Sequence, residues 1–230
     1  MDHIEHDRRM RIFTEQVTVY PVSCEKLCNG RSDLKWLDAV LAGGAKIVQL
    51  RDKESNDLTL FRKAVVFREK TREAGALFIV NNRLDIAMLC DADGIHLGNS
   101  DIPADEARRL CPGMIIGVSA NSEEQAASAD SRGASYYNIG PLFPTETKAG
   151  LSTFLGPGAI RRFSSRSRLP FTVMGGIKYN NIEELIDFGA RRIAVVTALT
   201  LAENIAEETR RWVKAIITPP GAAQKTGNNE

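Results

Sequence analysis

Residues 44–53 read GAKIVQLRDK: a Gly-Ala pair, a short apolar run, then a burst of charge. The opening recurs. Gly-Ala stands directly before an apolar run at Gly44, Gly75, Gly133 and Gly189. The first two glycines are 31 residues apart, and the next gaps, of 58 and 56, are about twice as long. One strand, one helix and two turns need roughly thirty residues. Glycine suits that place, because it ends a helix in the left-handed conformation before the chain turns into a strand.

Reading outward at that spacing gives eight strand candidates: Val17–Val22, Lys46–Leu50, Leu77–Val80, Gly94–Leu97, Met114–Val118, Tyr136–Ile139, Phe171–Met174 and Ile193–Val196. Several are continuous apolar runs rather than alternations, as expected of strands buried on both faces of a parallel sheet. Helical stretches separate them. Leu58, Phe61 and Val65 fall on one face, and Pro103 opens a helix at its first position. Ser122 with Gln125, and Asn180 with Glu183, have capping-box spacing. Leu201, Ile205, Trp212, Val213 and Ile216 form an apolar stripe on the last helix. Eight strand–helix units in this length predict an α/β fold, a single (β/α)8 TIM barrel over residues 17–218. An open doubly wound sheet is the alternative, and it is weakened because no G-x-G-x-x-G follows the first strand. Residues 1–16 read as a frayed or loosely docked lead-in, with His3 and His6 set among charges. Residues 219–230, PPGAAQKTGNNE, read as a disordered tail.

Composition excludes several classes of function. Of 230 residues, 30 are Lys or Arg and 29 Asp or Glu, so no global field attracts nucleic acid. No apolar stretch approaches the ~20 residues that span a bilayer. The start, MDHIEHDRRMRIF, lacks the apolar core of a secretory signal. Cys24, Cys28, Cys90 and Cys111 are too few for a disulfide scaffold, and the C-x3-C pair lacks a second pair of zinc ligands. Four reduced thiols in a cytoplasmic protein are expected.

A barrel of this kind works at the carboxyl ends of its strands. Those positions hold Gln49, Arg51 and Lys53 after the second strand, Asn81 and Asn82 after the third, and Asn99 and Asp101 after the fourth. Ser119 and Asn121 follow the fifth, Gly175 and Gly176 the seventh, and Thr197 and Ala198 the eighth. The sixth leads into GPLFPTETK (140–148), which carries Thr145, Thr147 and Lys148. From Gly140 to Gly156 no helix or strand pattern shows, and a connection that long is functional or disordered. Cations and hydroxyls suit phosphates, and a glycine pair lets backbone N–H groups approach an anion. The loops after strands seven and eight are the usual phosphate site of the fold, and a short helix near Thr197 would add its N-terminal amides. Arg51 and Lys53, across the rim, call for a second anion; a diphosphate with Mg2+ fits, and Asp101 is the clearest metal ligand. Plainer readings stand beside these. Arg51 and Lys53 read equally well as partners of Asp52 and Glu54 in a solvated turn, Asp101 as a helix cap, the asparagines as turn formers, and His96 as a satisfied core histidine.

The ordered set QLRDK (49–53), NNRLDIA (81–87), ADGIHLGNSD (92–101), GVSAN (117–121), GPLFPTETK (140–148), GGI (175–177) and AVVTAL (194–199) resembles the thiamine phosphate synthase family. The resemblance runs from Val17 to about Ala215. It implies condensation of 4-amino-2-methyl-5-hydroxymethylpyrimidine diphosphate with 4-methyl-5-(2-phosphoethyl)thiazole, giving thiamine phosphate and pyrophosphate through a pyrimidine carbocation. It places Gln49, Arg51, Lys53, Asn81, Ser119 and Lys148 around the pyrimidine diphosphate. Thr145 and Thr147 go to the thiazole phosphate, with Gly176 and the backbone near Val196 and Thr197, and Mg2+ goes to Asp101. Arg51, Lys53 and Lys148 become the catalytic cations. The family's Asn-Asp after the third strand is Asn81-Asn82 here, so Asn82 stands where a second carboxylate ligand is expected. A thiazole tautomerase-like relative and a non-catalytic thiamine-phosphate-binding protein are the alternatives, and a homodimer is the family's expectation.

Overall fold

At each Gly-Ala pair the chain passes from a helix into a strand. α2 (Asp33–Ala42) and α3 (Asp57–Glu73) run through Gly44 and Gly75 into β2 (Ile47–Leu50) and β3 (Leu77–Asn81). α6 (Glu123–Ser128) and α8 (Ile182–Asp187) run through Gly133 and Gly189 into β6 (Tyr136–Ile139) and β8 (Ile193–Val195). All four glycines have positive φ, from +62° to +105°. In each case the following alanine N–H reaches back five residues: Ala45 to the Val40 carbonyl, Ala76 to Thr71, Ala134 to Ala129 and Ala190 to Leu185, at 2.8–3.1 Å. That is the Schellman closure, which satisfies a carbonyl the helix end leaves open. Asp91, at φ +53°, supplies the same turn between α4 (Leu84–Leu89) and β4 (Gly94–Leu97) without a glycine.

The computed structural model describes residues 2–145 and 153–218. With β1 (Val19–Pro21), β5 (Ile115–Ala120) and β7 (Phe171–Val173), eight strands form one parallel sheet in the order β1-β8-β7-β6-β5-β4-β3-β2. Its two ends meet. Val22 bridges Gln49 in parallel, and the Ser23 N–H donates to the Gln49 carbonyl at 2.9 Å. The sheet is a barrel closed over a short seam, the predicted (β/α)8 architecture. The remaining helices are α1 (Asp2–Glu15), α5 (Ala104–Leu110), α7 (Ala159–Ser164), α9 (Thr197–Thr200) and α10 (Ile205–Ile217). No helix among the described residues is long and apolar enough to cross a membrane.

Two apolar layers result. The outer one lies between strands and helices and includes Trp36, Val48, Phe67, Phe78 and Trp212. The inner one fills the barrel with Tyr20, Ile47, Leu77, Ile79, Ile115 and Tyr136. Phe13 belongs to this inner layer, fully buried, with its ring centroid 4.6 Å from that of Tyr136. The reading of the first sixteen residues as frayed or loosely docked is therefore corrected: α1 plugs the amino end of the barrel. Arg9 donates to the buried Asp93 carboxylate at 3.1 Å and to the Gly113 carbonyl at 2.7 Å, and Arg192 donates to the carbonyls of Phe13 and Thr14. His6 hydrogen-bonds Ser135. The helix escaped notice because its charged face dominates its composition, while two residues, Arg9 and Phe13, carry its burial.

Other boundaries shift locally. The buried stripe of α3 is Leu60, Ala64, Phe67 and Thr71, and Leu58 is 57% exposed, because the stripe two positions on repeats at i, i+4, i+7 and i+11. Leu201 is the C-cap of α9 and is half exposed, so the stripe of the last helix begins at Ile205. Pro103 precedes the first turn of α5 rather than opening it. Asn181, not Asn180, accepts the Lys178 N–H before α8. The expected tail, residues 219–230, lies outside the described residues.

Phe13→Ala empties the centre of the plug. The expected cost is about 3–5 kcal/mol of unfolding free energy, read from urea melts. A loss under about 1 kcal/mol would mean that α1 merely lies on the barrel.

Candidate active site

Within a parallel sheet side chains alternate, so residues two apart share a face. At the carboxyl end of β2 this sends Gln49, Arg51 and Lys53 toward the barrel mouth and Asp52 away from it. Gln49, Arg51 and Lys53 line a cavity of about 490 Å³, and Asp52 turns back to Lys63 and Ser55. The solvated-turn reading is set aside for Asp52, which is engaged behind the loop.

Neighbouring strands complete the mouth. Asn81 ends β3 and Asn82 follows it, Asp101 follows β4, Ser119 lies in β5, and Thr145, Gly176, Val196 and Thr197 close the far side; all line the same cavity. Of the described rim positions named from the sequence, all but Ala198 line it. Thr147 and Lys148 lie outside the described residues.

Asp101 does not cap α5. Its Oδ2 accepts from the Gly98 N–H at 2.6 Å, and its Oδ1 accepts from the Asn82 amide at 2.7 Å. Asn82 holds a left-handed backbone, φ +66°, which asparagine tolerates better than most residues. The pair aims one carboxylate at the cavity with both oxygens anchored.

On the opposite side the loop after β6 packs over the loop after β7. Leu142 and Phe143 N–H groups donate to the Met174 and Gly175 carbonyls at 3.0 Å. A Cβ at Gly176 would collide with the Pro144 carbonyl oxygen, and one at Gly175 would lie 2.6 Å from the Pro141 Cα. The glycines are fixed by this close approach as well as by their positive φ, +106° and +62°. Leu155 and Gly156 return to the Pro141 and Leu142 carbonyls, at 2.9 and 3.0 Å. The short helix expected near Thr197 is α9.

The floor of the cavity is a hydrogen-bonded chain. Asn81 Nδ2 donates to Gln49 Oε1 at 3.0 Å, and Gln49 Nε2 donates to the Tyr20 hydroxyl at 2.8 Å. Tyr20 meets Tyr136 at 3.1 Å, Tyr136 meets His96 Nδ1 at 3.1 Å, and His96 Nε2 meets Ser119 Oγ at 3.2 Å. Burial pushes the His96 pKa down to about 4, against a weaker opposing pull from Asp101, so the imidazole is neutral. Both its nitrogens are engaged, as a satisfied core histidine requires. Burial likewise raises both tyrosines, which stay protonated. Tyr20 and Tyr136 carry this floor but were not singled out from the sequence, nor were Asn138 and Thr172, which hydrogen-bond each other at 2.8 Å at the cavity edge. They lie inside strands, not after them. Their one signal was polarity within otherwise apolar runs, such as Tyr136-Tyr137-Asn138-Ile139.

A site of this make-up offers cations, anchored amides, one carboxylate and backbone donors. Fold and site together define a (β/α)8-barrel enzyme with its polar cavity at the carboxyl ends of the strands. Residues 19–199 match the family model described as thiamine monophosphate synthase, and the chain belongs to that family of transferases. It is 40% identical to a thiamine-phosphate synthase of Methanospirillum hungatei JF-1, over 86% of this chain and 97% of that one. It is 42% identical to the thiamine-phosphate synthase of Chlorobium luteolum, over 90% and 97%. The solved thiamine phosphate pyrophosphorylase from Pyrococcus furiosus superposes with a TM-score of 0.81 at 31% identity, covering 90% of this chain and 100% of that one.

His96 gives the fold a pH dependence. Its folded pKa lies below the ordinary 6.5, so its contribution is fully present above pH 6.5 and is lost as pH falls toward about 4. Between pH 6.5 and 5 the expected loss from this group is about 2 kcal/mol. Urea midpoints for wild type and His96→Asn across that range check it: the variant's profile should be flatter, and parallel profiles would remove His96 as the cause.

Proposed function

We propose that this chain condenses 4-amino-2-methyl-5-hydroxymethylpyrimidine diphosphate with 4-methyl-5-(2-phosphoethyl)thiazole, releasing pyrophosphate and leaving thiamine phosphate. The observation that carries the reading is the meeting of Gln49, Arg51, Lys53, Asn81, Asp101, Ser119, Thr145 and Gly176 on one cavity. Family membership and the identity to named synthases support it.

The chemistry asked of these residues is modest. The bond between the pyrimidine methylene and the diphosphate oxygen breaks, and its electron pair leaves with pyrophosphate. Arg51 and Lys53, with Lys148 joining them, offset the charge that builds on the leaving oxygen. Gln49 and Asn81, already locked to each other, present amide groups to the aminopyrimidine, whose ring delocalises the positive charge left on the methylene. Thr145 and Thr147, with backbone N–H groups around Gly176, Val196 and Thr197, hold the thiazole phosphate so that its ring nitrogen faces that carbon and captures it. No protein nucleophile is used; the rate comes from orientation and preorganised charge.

The donor set suits Mg2+. Asp101 accepts one hydrogen bond on each carboxylate oxygen and keeps a lone pair on both, and magnesium is commonly held by one or two carboxylates together with substrate phosphate. Bound there, the ion would add Lewis-acid charge at the diphosphate. Asn82 offers an amide where a carboxylate would strengthen the site, so the affinity for metal is lowered rather than lost. Substrates and products are small molecules; a homodimer and a cytoplasmic location complete the reading.

Incubation with both substrates and Mg2+ tests it. Pyrophosphate should appear only when the thiazole phosphate is present, and release from the pyrimidine diphosphate alone, or none at all, would overturn the reading. In Asn82→Asp the Mg2+ concentration for half-maximal activity should fall several-fold. An unchanged metal requirement would remove Asn82 from the metal site.

A further inference from the structure

Behind the loop that carries Arg51 and Lys53, one ammonium gathers three carboxylates. Lys63 Nζ, on the second turn of α3, lies 2.7 Å from Glu25 Oε2, 2.8 Å from Asp33 Oδ2 and 2.6 Å from Asp52 Oδ2. Glu25 belongs to the short 3-10 turn after β1, Asp33 opens α2, and Asp52 sits in the loop between β2 and α3. A single side chain thus joins three segments around one quarter of the barrel mouth. The carboxylates alone have the spacing of a metal site, but an ammonium has three N–H donors, and here all three are used. None of the four residues lines the cavity.

What this hub holds is Asp52. Asp52 Oδ1 accepts from the Glu54 and Ser55 N–H groups at 3.0 Å each, and Oδ2 accepts from the Ser55 hydroxyl at 2.7 Å as well as from Lys63. The loop is folded around that carboxylate. Because successive side chains point to opposite sides, pinning Asp52 to the back directs its neighbours, Arg51 and Lys53, to the cavity. The pairing outlasts its own desolvation cost: burial opposes charge on both groups, yet Lys63 is raised above the ordinary lysine value and Asp52 is held below the carboxylate range.

We infer that Lys63 is a positioning residue, which acts through Asp52 to hold Arg51 and Lys53 in the arrangement that grips the diphosphate. The inference rests on the function proposed above. A lysine this deeply bonded also contributes to stability, and the test has to separate the two roles. Asp33 provides the means. Its carboxylate is almost fully buried, its Oδ1 has no hydrogen-bond partner among the described residues, and burial pushes its pKa up to about 6 despite Lys63. It is the group that a lost lysine would strand.

Steady-state kinetics of Lys63→Met should show the KM for the pyrimidine diphosphate raised about tenfold and kcat lowered with it, because the same two cations offset charge on the leaving oxygen, while the KM for the thiazole phosphate stays within about twofold of wild type. Inorganic pyrophosphate with Mg2+, titrated by calorimetry, should lose a similar factor in affinity, a readout that needs no turnover. Lys63→Met/Asp33→Asn removes the stranded carboxylate, so its thermal midpoint should recover while the KM stays high. Asp52→Ala should reproduce the KM effect and add little to Lys63→Met, since both break one tether. These two variants also carry the test if Lys63→Met alone does not fold. An unchanged KM, an equal rise in both KM values, or a KM that recovers together with stability would overturn the inference. An inactive wild type that still binds pyrophosphate in a Lys63-dependent way would overturn the proposed reaction while leaving the positioning role in place.

Discussion

The seam between β1 and β2 is the contact on which the site depends. A parallel sheet of eight strands has two edges until these meet, and they meet at the Val22–Gln49 bridge, where the Ser23 N–H donates to the Gln49 carbonyl. Once the ring is closed, all strands point the same way round, and every carboxyl end falls on one rim. Closure also places Tyr20 of β1 against Gln49 of β2, at 2.8 Å. The same Ser23 that helps close the ring accepts the Arg51 N–H on its hydroxyl at 3.0 Å, so the seam and the start of the cationic loop share a residue. A slip of one position between these two strands would turn Gln49, Arg51 and Lys53 outward together.

Closure alone does not fill the ring. Its amino end is stopped by Phe13 and the Arg9–Asp93 contact, and Arg68 donates to the other Asp93 oxygen at 2.8 Å. A buried carboxylate that accepts from two guanidinium groups and the Phe78 N–H, with Arg8 3.9 Å away, is well satisfied, which matters because an unpaired buried charge is costly. The consequence is a division along the barrel axis. One end is aromatic and held by buried ion pairs; the other is amide-lined and opens into the cavity.

That division explains what could be read from the sequence. Strand positions came from the Gly-Ala turns, whose left-handed closure is local and therefore visible in a few residues. Rim residues such as Arg51, Asn81, Asp101 and Ser119 followed from strand ends alone. α1 was hidden because its docking depends on partners far along the chain, Asp93, Gly113 and Arg192, which no local pattern announces. The face of α3 was misassigned for a related reason. Leu58 and Leu60 are equally apolar, and only the position of the barrel wall decides which one is buried. Tyr20 and Tyr136 were missed because each looks like a core aromatic until the two hydroxyls are seen 3.1 Å apart.

Those hydroxyls bear on how the site meets its substrate. A neutral His96 has one N–H to share between Tyr136 and Ser119, and Gln49 already donates to the Tyr20 oxygen. If Tyr20 passes its hydrogen to Tyr136 and Tyr136 passes its own to His96 Nδ1, then Nε2–H donates to Ser119. Every hydrogen in the chain then has an acceptor, and the Ser119 hydroxyl keeps its own hydrogen for the cavity. With the opposite direction Tyr20 would accept twice, and its hydrogen would have no acceptor within the chain. Because an unmet polar group costs more inside a barrel than in water, the buried half of the chain selects the first arrangement. A tyrosine pair at the centre of the barrel thereby sets Ser119 as a donor toward the cavity it lines.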